Sequence, residues 1–149
     1  EDRLNEAKMV LENVKYLNPK KINIFKEIEQ ITKGQMLDVV IESSGNIDAL
    51  NQSIDLINNQ GIVKFATHPR KGDFLRINPF ELIKGKRIEG SWGGGINPDE
   101  DFINIINKTY SEKKFINLFT EKIYKLDQIN KAIDDMRSGK VLRPIIDME

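Results

Sequence analysis

Three consecutive glycines, Gly93, Gly94 and Gly95, close the short β-prone run that begins at Lys86 (KRIEGSWGGG). Without Cβ atoms they can hold positive φ and offer bare amide and carbonyl groups to a flat ring or a carboxamide, or simply make a tight turn. Two other buried-strand patterns lie upstream, DVVIESSGN from Asp38 and GIVKFAT from Gly61. Ser43 and Ser44 fall at the carboxyl end of the first, where open α/β sheets bind ligands. The only histidine, His68, follows the second. A neutral imidazole needs no metal to be satisfied, so packing or solvent exposure in a loop accounts for it as well as a site does. The acidic run Asp99-Glu100-Asp101 follows Asn97-Pro98 and reads as helix capping rather than chemistry.

Composition narrows the chemistry. The 149 residues are 39% hydrophobic and 31% charged, as in one soluble globular domain with one core. Lys plus Arg and Asp plus Glu both total 23, so the charge footprint of a nucleic-acid binder is missing. There is no cysteine, which excludes disulfides and the thiolates used by structural and many catalytic zinc sites. With one histidine, this chain is expected to hold no metal. No apolar run approaches the roughly 20 residues of a membrane span, and an intracellular, cytoplasmic protein is expected.

The elements that must position these residues alternate. EDRLNEAKMVLENV opens in a helix pattern with no leading strand, which leads to the expectation that further residues precede Glu1. Val14 to Leu17 reads as a weak strand ended by Asn18-Pro19. Ile22 to Thr32 has helical spacing, with Gly34 as its stop. Leu37 to Ile41 (LDVVI) is a continuous apolar strand, expected in mid-sheet with both faces covered. Ile47 to Ile57 is an amphipathic helix, Asn58 to Gly61 turns the chain, and Gly61 to Thr67 returns as a strand. Such strand, helix, strand units with short connections make parallel sheets. Asn78-Pro79 starts a helical turn to Ile83, Arg87 to Trp92 is a strand, and Pro98 opens a helix with Phe102, Ile105 and Ile106 on one face. Near the C-terminus a strand at Lys122 to Tyr124, a helix from Leu126 to Ser138-Gly139, and a strand at Val141 to Ile146 follow. Pro144 confines the last to an edge or terminal position.

DVVIESSGN, GIVKFAT, NPFELIKGKRIEGSWGGG and YKLDQINKAIDDMRSGKVLRPII, in this order and spacing, resemble the C-terminal part of the medium-chain dehydrogenases, the zinc-type alcohol and polyol dehydrogenase superfamily. EDRLNEAK resembles the helix after the second strand of that family's cofactor domain. The resemblance implies an α/β fold, a partial Rossmann-like parallel sheet with flanking helices, and makes residues 1–149 the C-terminal part of an NAD(P)-binding domain plus a return segment. The family's first strands, its glycine-rich phosphate loop and its zinc-ligand constellation have no counterpart here. The strand at Val14 would then stand two missing strands, roughly 10 Å, from LDVVI.

By the same resemblance, Arg3 reaches the adenosine ribose, and Ser43 and Ser44 pack against adenosine. Ala66, Thr67 and His68 lie beside the nicotinamide, and the backbone of Ser91 and Gly93 binds its carboxamide, fixing the ring face that meets substrate. Arg143 contacts the pyrophosphate, with an ion pair to Asp134 or Glu149 as the competing reading. Trp92 is expected in sheet or interface core. The implied function is the cofactor-binding fragment of an oxidoreductase moving hydride between NAD or NADP and an alcohol or aldehyde, itself inactive, with zinc in a preceding domain. The strand near Arg87 to Trp92 is expected to pair with its copy in a homodimer. A non-catalytic α/β assembly module and a zinc-independent quinone or enoyl reductase of the same superfamily are the alternatives.

Overall fold

A computed structural model describes residues 2–111 and 122–149, which fall into two compact units, Pro19–Ile96 and Glu1–Asn18 with Asn97–Glu149. The first unit is a three-stranded parallel sheet in the order β1-β2-β3. β1 is Leu37–Glu42, β2 is Ile57–Phe65 and β3 is Arg87–Gly90. Helix α3 (Ile47–Leu56) links β1 to β2, and the short α4 (Pro79–Ile83) precedes β3. Each helix starts on an asparagine whose side-chain oxygen accepts from first-turn amides, Asn46 for α3 and Asn78 for α4. An Asn-led start is what the strand-to-helix loops needed, since unpaired first-turn N–H groups must find a partner.

Leu50 and Ile54 of α3 pack on Ile57 and Val63 of β2, and all four are buried. Each buried side chain of this kind stabilises by roughly 1.5–3 kcal/mol, so the helix and the middle strand anchor the unit. β2, not β1, is the central strand. LDVVI therefore departs from the expectation of a doubly covered strand: β1 is at an edge, with Val39 and Ile41 53% and 74% exposed. Only one of its faces is covered, by α3.

The segment Asn58 to Gly61, expected as a turn, instead lies within β2 as an irregularity of the pairing. Leu37 pairs with Ile57 but Val39 with Ile62. Asn58 holds the segment to β1, donating from Nδ2 to Asp38 Oδ1 at 2.7 Å and accepting from Gln60 N at 2.8 Å. Gly61 fits because a Cβ there would stand 2.8 Å from Ile57 Cβ and 2.9 Å from the Leu37 carbonyl. Helix α2 (Ile24–Ile31) is followed by Lys33 at φ +53°, which turns the chain so that the Gly34 N–H reaches the Glu29 carbonyl at 2.8 Å, and Gly34 itself continues at φ +82°.

In the second unit, α1 (Asp2–Val10) is followed by an irregular segment. The expected strand at Val14 to Leu17 is not formed. No described strand lies beside it to complete a ladder, and Tyr16 instead folds back, donating its hydroxyl to the carbonyls of Ala7 (3.1 Å) and Leu11 (2.6 Å). After α5 (Pro98–Ser111), β4 (Ile123–Lys125) pairs in parallel with β5 (Ile145–Asp147) across α6 (Ile129–Arg137). Tyr124, Ala132 and Val141 form a separate buried cluster. Burial is thus divided between two clusters instead of the one core expected from length. Among the described residues no helix is long and apolar enough to cross a membrane.

Candidate functional site

Parallel pairing brings the carboxyl ends of three strands level: Glu42 is in register with Phe65, and Phe65 with Gly90. The residues that follow each strand, Ser43-Ser44, Ala66-Thr67-His68 and Ser91-Trp92-Gly93, are therefore brought to one edge of the sheet. A cavity of about 810 Å³ opens there between Ser44 to Asp48 and Ala66 to Arg70. A second, of about 350 Å³, lies between the ends of β2 and β3 and is lined by Phe65 to Pro69 and Gly90 to Trp92.

A buried carboxylate joins the first two strand ends. Glu42 is 6% exposed and accepts from Ser44 N at 2.7 Å, Gly45 N at 3.3 Å, the Ser44 hydroxyl, and Thr67 Oγ1 at 3.0 Å. Burial alone pushes its carboxyl upward, but the hydrogen bonds from Ser44, Thr67 and Gly45 together outweigh burial and hold it below the usual carboxylate range. Glu42 is thus an anion at neutral pH and fixes where Ser44 and Thr67 stand. Sequence reading missed it. Its signal was an acid ending a β-branched run and followed directly by Ser-Ser-Gly, a composition suited to local side-chain to backbone bonds.

The third strand end is shaped by backbone. Gly93, Gly94 and Gly95 have φ of +60°, +78° and +70° and form a single tight turn in which Gly95 N donates to the Trp92 carbonyl at 3.2 Å. A Cβ on Gly93 or Gly95 would meet nothing within 4 Å, so conformation and not crowding selects glycine there. Ser91 N extends the ladder to the Phe65 carbonyl at 2.8 Å, and among the described residues the Ser91 carbonyl and the Gly93 N–H carry no hydrogen bond. Gly90 is a different case, since a Cβ would stand 3.1 Å from the Phe65 ring.

Trp92 departs from the expectation of core: it is 86% exposed. It stands two residues past the end of an edge strand, and among the described residues the aromatic ring against it is that of His68, which meets it edge-on at 4.9 Å between centroids and 71° between planes. His68 is accordingly a loop residue that packs on an aromatic. The strand ends bring six of the expected residues to one edge, Ser43, Ser44, Ala66, Thr67, His68 and Ser91, with Gly93 beside them. Arg143 is exposed in the other unit and forms neither of the ion pairs considered for it, with Asp134 or Glu149. Arg3 belongs to α1, and its side chain lies outside the described residues.

The described residues at the strand ends leave few helix-start amides open to a phosphate. Asn46 Oδ1 already accepts from Asp48 N (2.8 Å) and Ala49 N (3.1 Å), so the start of α3 has spent the amides that an anion would use. They also do not suit a metal: no group of three His, Cys, Asp or Glu among them could hold one.

Residues 1–110 match the family model of the zinc-binding dehydrogenases. The chain belongs to that family. Alcohol dehydrogenase 1 of Petunia hybrida is 25% identical over 151 residues, covering 99% of this chain and 39% of its own length. Among solved structures, benzyl alcohol dehydrogenase from Acinetobacter calcoaceticus superposes with a TM-score of 0.84 at 28% identity, over 99% of this chain and 40% of that one. The alcohol dehydrogenase zinc-binding domain protein from Burkholderia ambifaria does so with a TM-score of 0.75 at 29% identity, over 89% and 36%. The chain therefore spans about two fifths of the length of its relatives. As a zinc-binding dehydrogenase chain it has the α/β, Rossmann-like architecture that the resemblance implied, in the C-terminal portion of the superfamily's fold.

Proposed function

We propose that this chain is the cofactor-binding part of a longer oxidoreductase that transfers hydride between NAD or NADP and an alcohol or aldehyde. The observation that carries the reading is the level alignment of three parallel strand ends beside a glycine turn with open backbone groups, in a chain of this family. The nicotinamide ring would lie along Ala66, Thr67 and His68, its carboxamide hydrogen-bonded to the Ser91 carbonyl and Gly93 N–H. Two backbone groups on a rigid turn present one ring face to the substrate without side-chain chemistry. Ser43 and Ser44 would border the adenosine, with Arg3 and Arg143 serving ribose and pyrophosphate.

The remaining phosphate contacts and any zinc would depend on residues beyond those described, because the described residues offer no phosphate cradle at the start of α3 and no metal site. The 149-residue chain alone is then expected to be inactive and to bind cofactor weakly. The free edge of β3 would pair with a second copy in a homodimer, covering backbone groups that are otherwise a template for aggregation. The test is alcohol-dependent reduction of NAD or NADP by the full-length polypeptide, with this chain as the control. Turnover confined to the full-length protein is expected; failure of the full-length protein to bind or reduce either cofactor would overturn the reading.

A further inference from the structure

The site contains one charge that cofactor contacts alone do not require. Glu42 is buried beneath the junction of the β1 and β2 ends, and one of its oxygens accepts from Thr67 Oγ1 at 3.0 Å. Thr67 in turn belongs to the segment assigned above to the nicotinamide. A neutral glutamine could accept several of the same bonds, so the geometry by itself does not explain a carboxylate. Its donors Ser44 N, Gly45 N, the Ser44 hydroxyl and Thr67 Oγ1 carry no formal charge, so among the described residues no bonded counter-ion cancels it. The remaining formal charges around the adjoining cavity are Asp48 and Asp73 against Arg70, and they do not neutralise it either.

The two redox states of a nicotinamide ring differ by one unit of charge: the oxidised ring is a pyridinium cation and the reduced ring is neutral. A fixed negative charge behind the ring acts on one state and not on the other. We infer that the Glu42 carboxylate biases this site toward the oxidised, cationic form of the ring over the reduced, neutral form. Glu42 is a positioning residue for Ser44 and Thr67 as well, but position acts on both redox states alike, whereas charge does not. The inference rests on the nicotinamide reading above and adds a direction to it, since tighter holding of the oxidised form favours release of the reduced form after alcohol oxidation.

The test uses the full-length polypeptide and titration calorimetry with the oxidised and reduced forms of whichever cofactor, NAD or NADP, it takes. Glu42→Gln keeps the shape and removes the charge. The preference for oxidised over reduced cofactor is expected to fall by about three- to tenfold, the size expected of one unit charge acting across several ångströms of partly solvated protein. Thr67→Val, which removes a donor from the ring-binding segment and keeps the charge, is expected to weaken both forms and to move their ratio by less than about twofold. Equal weakening of both forms by Glu42→Gln would show a purely structural glutamate and overturn the inference. Should Glu42→Gln fail to fold, the same ratio is followed in an Asp48→Asn, Asp73→Asn background as pH falls through the folded pKa of Glu42, which removes the same charge by protonation. A lowered ratio there supports the inference and an unchanged one overturns it. Absence of binding of either form to the wild type would instead remove the nicotinamide reading itself.

Discussion

Replacing Thr67 with valine removes a single hydroxyl and keeps the side-chain volume. That hydroxyl donates at 3.0 Å to a carboxylate that is 6% exposed and below its usual pKa. A hydrogen bond to a charged group contributes about 1.5–3 kcal/mol. Thr67 is only half-buried, so water can partly replace it, and the expected loss is about 1–2 kcal/mol at neutral pH. Urea unfolding of the chain followed by the fluorescence of Trp92, its only tryptophan and a member of the same unit, measures that loss. In a double-mutant cycle with Glu42→Gln the two substitutions should couple by about 1 kcal/mol. The pH dependence has a definite sign. Because hydrogen bonding lowers the folded-state pKa of Glu42, its stabilisation is present above the ordinary glutamate value of 4.5 and is lost as pH falls through the lower folded value. The gap between wild type and Thr67→Val should therefore close in acid. A loss under about 0.3 kcal/mol at neutral pH, or a gap that persists below the folded pKa, would refute the link between the two strand ends.

Other substitutions test other parts of the architecture. Ile57→Ala removes a side chain that is 1% exposed between α3 and the central strand and should cost about 3–4 kcal/mol, read by the same urea titration. Gly94→Ala forces a Cβ onto a residue at φ +78° and should cost about 1–2 kcal/mol while weakening cofactor binding to the full-length protein, measured by calorimetry. In the second unit, the Tyr124 hydroxyl at 2.9 Å is the foremost cause of the lowered Asp135 pKa, burial opposes it, and Lys122 and Lys140 assist. Tyr124→Phe should let that pKa rise and move the acid unfolding midpoint of the chain to higher pH, because Asp135 stabilises above its ordinary value of 3.8 and ceases to do so when protonated. Circular dichroism across an acid titration reads the shift.

The strand ends were legible in the sequence because their signals are local. Continuous β-branched runs, Asn-Pro and Asn caps, and a glycine triplet each name an element without knowledge of its neighbours, and α3, α4, α5 and β3 form where those signals stand. Depth in a sheet is not local. LDVVI has the composition of a central strand, yet its neighbours leave it at an edge. Val14 to Leu17 similarly has strand propensity and, among the described residues, no partner strand to express it. Asn58 to Gly61 has turn composition, but the Asn58 bond to Asp38, 20 residues earlier, keeps it extended. The residues proposed for the site were named from strand order and family resemblance. Glu42 was not, because its importance comes from Thr67, 25 residues away, and from burial that only the packed sheet creates. Exposure of Trp92 has the same origin, since strand propensity does not reveal which side of β3 remains open.

The most direct test of the proposed nicotinamide site is a crystal structure of the full-length polypeptide with NAD or NADP bound. The expected result is a nicotinamide ring along Ala66 to His68, with its carboxamide hydrogen-bonded to the Ser91 carbonyl and the Gly93 N–H. A cofactor seated away from the three strand ends, or a carboxamide bonded to neither group, would contradict it.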